Sequence, residues 1–162
     1  MTDPKPTVEL PLIDHFLKGP TVEWEGLTVH TGLKIPVRRD TVLTLRLLSS
    51  ESELTMGLIV HGIKCRLPLD DELVQGLRYW WGDPIPPEGE LVTFQKVRWG
   101  AQAFVSPAWL EPGEVVRSGV GNAGLLIEET APGRYLLRCS NGRAWPPDFD
   151  GLVAEVCVGP LD

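Results

Sequence analysis

The sequence between Leu125 and Cys139 reads LLIEETAPGRYLLRC, and this stretch decides the fold class of the chain. Two segments rich in apolar residues flank an Ala-Pro-Gly turn, which is the pattern of an antiparallel β-hairpin. A three-residue loop places Ile127 opposite Leu137 and Leu125 opposite Cys139, so that one face of the hairpin is continuously apolar. We therefore expect this hairpin to lie with that face against a hydrophobic core.

Similar segments recur along the chain, separated by glycine, proline and short polar turns. Glu25-Gly26 predicts a hairpin, Ser106-Pro107 is expected to end a strand, and Asn141-Gly142 predicts a tight turn with Cys139 opposite Ala144. Further strands are expected at residues 22–24, 27–31, 33–37, 41–48, 54–67, 90–99, 101–105 and 152–158. The pattern predicts a mainly β (β-rich α+β) fold: an antiparallel barrel or sandwich of about nine or ten short strands with one or two short helices.

Two segments have helical spacing. Between Pro11 and Gly19, apolar residues recur at intervals of three and four, with proline near the start and glycine after the end. In residues 70–81, Asp70 or Asp71 can cap a helix whose apolar face contains Leu73, Leu77 and either Trp80 or Trp81. The sequence predicts a short helix at each place.

The length of 162 residues and the 43% hydrophobic content are those of one ordinary domain. Residues 1–10, which include Pro4 and Pro6, are expected to form an extended or mobile N-terminal arm. Residues 11–162 are expected to form a single β-rich domain, with a subdomain split near 84–89 as the alternative.

The net charge of −7 and the dispersed basic residues argue against nucleic-acid binding. The densest basic cluster along the chain is Arg38-Arg39. The three cysteines are widely spaced and no disulfide framework is expected. Since the sequence shows no signal-peptide pattern and no long apolar run, we expect a cytoplasmic protein that does not enter a membrane.

Motifs with possible chemistry are weak. Residues 119–124 match G-x-G-x-x-G, but the sequence that follows is too short for the helix that this motif needs. His61 and Cys65 would lie roughly 13 Å apart on one strand, too far for a nucleophile–base pair. Residues 148–151 lack the further acidic ligands of a calcium loop, and an Asx-type turn is expected there. We predict no catalytic residue, metal site or cofactor.

Six tryptophans are a high number for this length. Tryptophan is common in interfaces, although β-domain cores also use it, so about half are expected to be structural. The candidates for binding a partner are Trp80, Trp81, Trp99, Trp109 and Trp145.

Two hypotheses about function follow. The first is a non-catalytic interaction module, such as an adaptor, an inhibitor or immunity-type protein, or an assembly component, that binds a protein partner through exposed aromatic residues. The alternative is a small-molecule-binding β-barrel or an enzyme with a dispersed site, for which the candidate pocket residues are His30, His61, Arg46 and Arg98.

Overall fold

The computed structural model describes residues 12, 16, 19–119, 123–143 and 146–160, and this part of the chain is mainly β. Its strands, numbered in chain order, are β1 Thr21–Trp24, β2 Leu27–His30, β3 Leu33–Pro36, β4 Thr41–Ser49, β5 Met56–Ile63, β6 Leu67–Leu69, β7 Glu72–Val74, β8 Gly76–Trp80, β9 Glu90–Val92, β10 Gln102–Glu111, β11 Val115–Arg117, β12 Gly124–Ala131, β13 Arg134–Ser140 and β14 Leu152–Pro160. The predicted mainly β class is confirmed. The described part has more strands than expected, because the long predicted strand at 54–67 is divided, two strands replace a predicted helix, and β11 was not among the expected strands.

The strands form antiparallel sheets. The largest has the order β1-β2-β12-β13-β14-β4-β9, the second has the order β11-β10-β5-β8 with β3 also on β10, and β6 and β7 form a small hairpin. Both larger sheets have free ends within the described residues, so neither closes into a barrel. No described helix is long and apolar enough to cross a membrane.

One hydrophobic cluster contains side chains from both larger sheets. Leu43 and Leu45 on β4 and Leu137 on β13 belong to it, together with Leu58 and Val60 on β5. These residues come from both sides of the predicted split at 84–89. The apolar residues that alternate along each strand therefore meet in a shared core.

The register of the 125–139 hairpin is confirmed. Ile127 pairs with Leu137 and Leu125 pairs with Cys139. The hairpin at Glu25-Gly26 is also present, since β1 pairs with β2 and both turn residues have positive φ angles of 48° and 82°. Two consecutive positive φ angles are those of the tight turn that matches strand twist.

The predicted helix at 70–81 is wrong. This segment forms β7 and β8, and β8 pairs with β5 from Gly57 opposite Trp80 to His61 opposite Gly76. Asp70 does not cap a helix: its φ of 54° places it in the turn between β6 and β7. The spacing of Leu73, Leu77 and Trp81 is four residues, which keeps side chains on one face of a helix and equally on one face of a strand.

Two expected breaks are also wrong. Pro107 lies within β10, in the gap between the residues paired with β3 and those paired with β11, so its missing N–H leaves no ladder bond unmade. At Asn141-Gly142 no two-residue hairpin forms, because Cys139 pairs with Leu152 instead of Ala144. The Asn141 side chain accepts a hydrogen bond from the Arg143 amide at 2.8 Å, which makes a local turn.

The predicted N-terminal helix falls only partly on described residues. Leu12 and Phe16 are helical, and Leu12 is fully buried in a small cluster with Val22 and Val29. The predicted arm at residues 1–10 lies outside the described residues.

Candidate interaction surface

Trp99 is the most exposed large apolar side chain of the described residues, with 91% of its surface accessible. It occupies the second position of a four-residue turn, residues 98–101, which we call the Trp99 turn. The Ala101 amide donates to the Arg98 carbonyl at 3.1 Å, and Gly100 has a φ of 78°. A turn of this type needs a positive φ at its third position, and glycine adopts it without steric cost. The sequence Arg-Trp-Gly-Ala thus presents an indole at the tip of a hydrogen-bonded turn.

The Trp99 turn is attached to a second segment, residues 64–66. The Arg98 amide donates to the Lys64 carbonyl at 3.0 Å, and Arg66 and Gln95 exchange two backbone hydrogen bonds of 2.8 Å each. These bonds set the two segments side by side in antiparallel orientation, at the usual strand spacing of about 5 Å.

Four basic side chains alternate with buried ones on these two segments. Cys65 is buried and Val97 packs against the core. The residues on either side of them are Lys64, Arg66, Lys96 and Arg98, which we call the basic patch. Arg66 is half-buried and the other three are exposed. Each segment has the sequence Lys-x-Arg, and each lysine has a left-handed φ, 59° at Lys64 and 52° at Lys96.

The charges of the basic patch are not neutralised within the described part of the chain. The ion pairs of the described residues involve Arg46, Arg117, Arg138 and Arg143, and none of them includes a residue of the basic patch. The Lys64 ammonium lies 5.9 Å from the centre of the Trp99 ring, within cation–π range. A cavity of about 390 Å³ lies among Arg66, Lys96 and Arg98.

Cys65, which is buried, also lines this cavity. Burial raises the pKa of Cys65, although a hydrogen bond from the Ile63 backbone and the nearby charge of Arg66 oppose the shift. The thiol donates to the Gln102 carbonyl at 3.6 Å. A protonated, inward-facing thiol is a weak nucleophile, so Cys65 contributes packing to the surface rather than chemistry.

A further basic pair adjoins the Trp99 turn. The Val37 amide donates to the Ala101 carbonyl at 2.9 Å, and the exposed residues Arg38 and Arg39 follow directly. The densest basic pair of the sequence is therefore next to the basic patch. The basic residues are dispersed along the sequence, and this cluster was not predicted because its two segments are about thirty positions apart. The signal that was available is the repeated Lys-x-Arg pattern at 64–66 and 96–98.

A second aromatic surface lies at the other end of β5. Trp81 is 40% exposed and its amide donates to the Met56 carbonyl at 2.8 Å. The half-buried Trp80, Trp81 and the stiff Pro86-Pro87 segment line an open groove of about 500 Å³. Arg46 also lines this groove, but its guanidinium pairs with Glu155 at 3.1 Å. We call this surface the Trp81 groove.

The polar residues proposed for a ligand pocket are dispersed. Arg46 lies in the Trp81 groove, Arg98 in the basic patch, and His61 in a separate open groove beside Arg78. His30 ends β2, where burial lowers its pKa. The structure does not assemble these side chains into one site.

Trp109 is a core residue. It is 1% exposed, and its indole N–H donates to a Glu111 carboxylate oxygen at 3.1 Å. That hydrogen bond, with the charges of Arg143 and Arg117, lowers the pKa of Glu111. Trp109 therefore offers no surface to a partner, and it should be removed from the candidates. Trp145 lies outside the described residues.

The weaker motifs do not build a catalytic or metal site in the described residues. Strand β12, and not a helix, follows the G-x-G-x-x-G stretch. His61 is exposed on the sheet, whereas Cys65 points into the core, as expected for a structural cysteine. The Asp148 side chain accepts from the Asp150 amide at 3.0 Å, which confirms the expected Asx-type turn. No group of three His, Cys, Asp or Glu in the described ranges is placed to hold a metal ion.

The exposed indole and the cations that form no ion pair within the described residues are therefore the outward-facing features of this surface. No protein-family model, no curated protein and no solved structure matches this chain.

Proposed function

We propose that this chain is a non-catalytic interaction module that binds a protein partner through the Trp99 turn. The observation that carries the proposal is the 91% exposure of Trp99 in a turn fixed by backbone hydrogen bonds to Lys64 and within the turn itself. Tryptophan is among the residues most often dominant in binding energy, because a large rigid ring buries much apolar area and loses little side-chain entropy.

The fixed backbone of the turn supports the same conclusion. An exposed indole on a mobile loop would lose conformational freedom on binding, and that loss would weaken the complex. Here the turn and its neighbouring segment are already ordered, so burial of the ring translates more fully into affinity. A purely structural role gives no reason for the ring to face water.

Two broader inferences accompany this proposal. We infer that the two larger sheets form a β-sandwich, which is supported by their shared hydrophobic cluster. We also infer a soluble protein of the cytoplasm, which is supported by three free cysteines, two of them buried.

The test is a partner screen from the native host with the wild-type chain and a Trp99→Ala variant as immobilised baits. A partner that binds through the Trp99 turn should be retained by the wild type and lost or strongly reduced with the variant. With that partner purified, calorimetry should show at least about a 30-fold weaker affinity for Trp99→Ala, since a central aromatic residue contributes about 2 kcal/mol or more.

Trp81→Ala is the matched control, because it also removes an exposed indole. Trp81 bonds to the start of β5 and the Trp99 turn bonds to the residue after its end, so the two surfaces are separated by about 23 Å of strand. If Trp81→Ala lost the partner and Trp99→Ala retained it, the partner would bind at the Trp81 groove and not at the Trp99 turn. Partners retained equally by both variants would contradict binding through exposed aromatic residues.

A further inference from the structure

We propose that the basic patch binds an acidic segment of a protein, in which carboxylates flank an apolar side chain that packs on Trp99. This inference rests on the proposed function and names the chemistry of the partner. It depends on three observations: the cations are brought together from two separate segments, they form no ion pair within the described residues, and one of them, Lys64, lies 5.9 Å from the centre of the exposed indole.

The basic patch concentrates positive charge. Its four cations lie on two hydrogen-bonded segments. Neighbouring like charges repel one another, and no carboxylate of the described residues forms an ion pair with them. In a chain with a net charge of −7, this is an uncompensated positive surface. An anionic ligand would relieve the repulsion.

The cavity in the basic patch has a size that suits a small group of side chains. The cavity of about 390 Å³ between the arginines is in the size range of small-ligand pockets, roughly 300–1,000 Å³. Two arginines can each hold a carboxylate through paired hydrogen bonds, and the lysines add charge without fixed geometry. Trp99, next to Arg98 in the chain, offers an apolar face to the residue between two acidic ones.

The extent of the positive surface and the single exposed indole beside it in the described residues distinguish a peptide ligand from a nucleic acid. A nucleic acid carries a phosphate at every nucleotide and extends beyond the four cations of the patch and the neighbouring Arg38-Arg39 pair, so its flanks would meet a chain with a net charge of −7. Binding of single strands also relies on several aromatic side chains in succession, whereas the basic patch adjoins one exposed indole. A short acidic peptide segment confines its charge to the patch. The observations therefore favour a protein ligand.

The test uses fluorescence anisotropy with three labelled probes and the full chain. The first is a short glutamate-rich peptide with a central leucine, the second has glutamine in place of every glutamate, and the third is a thymidine oligonucleotide of the same charge as the first. We expect the acidic peptide to bind, the glutamine peptide to bind at least about tenfold more weakly, and the affinity to fall about tenfold between low and high salt.

The matched pair of variants is Lys96→Glu/Arg98→Glu and Arg78→Glu/Arg134→Glu. Both change the net charge equally and replace exposed side chains, but Arg78 and Arg134 lie on β8 and β13, outside the basic patch. The first double variant should lose the acidic peptide and the second should retain it within about twofold. Equal loss in both would show a non-specific effect of net charge and would overturn the inference.

Other results would also overturn it. These are absence of binding to every probe, equal binding of the glutamate and glutamine peptides, and tighter binding of the oligonucleotide, which would assign the patch to nucleic acid. A native partner could require Trp99 for binding while its affinity is unchanged by salt and by Lys96→Glu/Arg98→Glu. That result would support the proposed function and overturn this inference. Acidic-peptide binding that survives Trp99→Ala would show that no side chain of the ligand packs on Trp99, and it would also overturn the inference.

Discussion

Trp99 and Trp109 show how the same residue type takes opposite roles within one region of the chain. Trp109 lies on β10 with its ring in the core and its N–H on Glu111. Trp99 lies at the tip of a turn, where strand alternation no longer applies. The sequence identified both as candidates, since tryptophan is common both in interfaces and in the cores of β-domains. Only the position of the turn relative to the strands, which depends on pairing across the sheet, separates them.

This difference predicts opposite effects on stability. Trp109→Ala should lower the free energy of unfolding by about 3–5 kcal/mol, because it empties a large core volume. Trp99→Ala should change it by no more than about 0.5 kcal/mol, since its ring packs against little protein. Urea denaturation followed by circular dichroism measures both. A comparable loss in the two variants would show that Trp99 is structural.

The buried Cys139 thiol predicts a pH dependence of stability. Burial raises its pKa from 9.0 to about 12. Above pH 9 the unfolded thiol loses its proton while the folded one keeps it, so the unfolded state binds fewer protons and stability falls with rising pH. Between about pH 8 and about pH 10.5, the wild type should lose about 2 kcal/mol more than Cys139→Ala.

The comparison with Cys139→Ala is necessary because Tyr79 also lowers the stability of the fold as the pH rises. Its pKa is raised to about 12 by burial and by Glu90, and it contributes to the wild type and the variant alike. The readout is the difference between two denaturation series, so the small volume lost in Cys139→Ala cancels. Equal pH slopes in the two proteins would contradict full burial of the thiol.

At the level of elements, the sequence was informative at two hairpins whose turns and strands are adjacent in the chain. The 125–139 hairpin and the Glu25-Gly26 turn were predicted because their registers are set locally by turn residues and alternation. The segment at 70–81 was mispredicted because the four-residue spacing of Leu73, Leu77 and Trp81 fits one face of a helix and also one face of a strand. The strand form of its second part, β8, depends on β5, whose residues precede it and supply the pairing edge. Such long-range pairing leaves no local signature.

Gly57 offers a test of the β5–β8 pairing. A Cβ at this position would lie 2.7 Å from Trp80 Cε3 and would also press on the Tyr79 carbonyl. Gly57→Ala should therefore lower the free energy of unfolding by about 1–3 kcal/mol through overpacking. Gly159→Ala on β14 is the control, since a Cβ there meets no atom within 4 Å. If 70–81 were a helix away from β5, both changes would be equally mild in urea denaturation.

At the scale of the whole molecule, the core joins strands that are far apart in sequence. Leu43 from the first half and Leu137 from the second are both fully buried in the same cluster. Alternation predicted that each would face inward, but not that they would share a core, because the order of strands in a sheet depends on pairings between distant segments. The basic patch was missed for the same reason.

The shared core predicts that the chain unfolds as one cooperative unit, without a separate subdomain on either side of 84–89. Leu43→Ala and Leu137→Ala should each cost about 2–5 kcal/mol and should move the entire denaturation curve to lower urea. Tryptophan fluorescence and far-ultraviolet circular dichroism should give the same midpoint in each variant. If the halves were independent, each change would shift only part of the transition and the two signals would separate. A plateau between two steps, in the wild type or in either variant, would contradict the shared core.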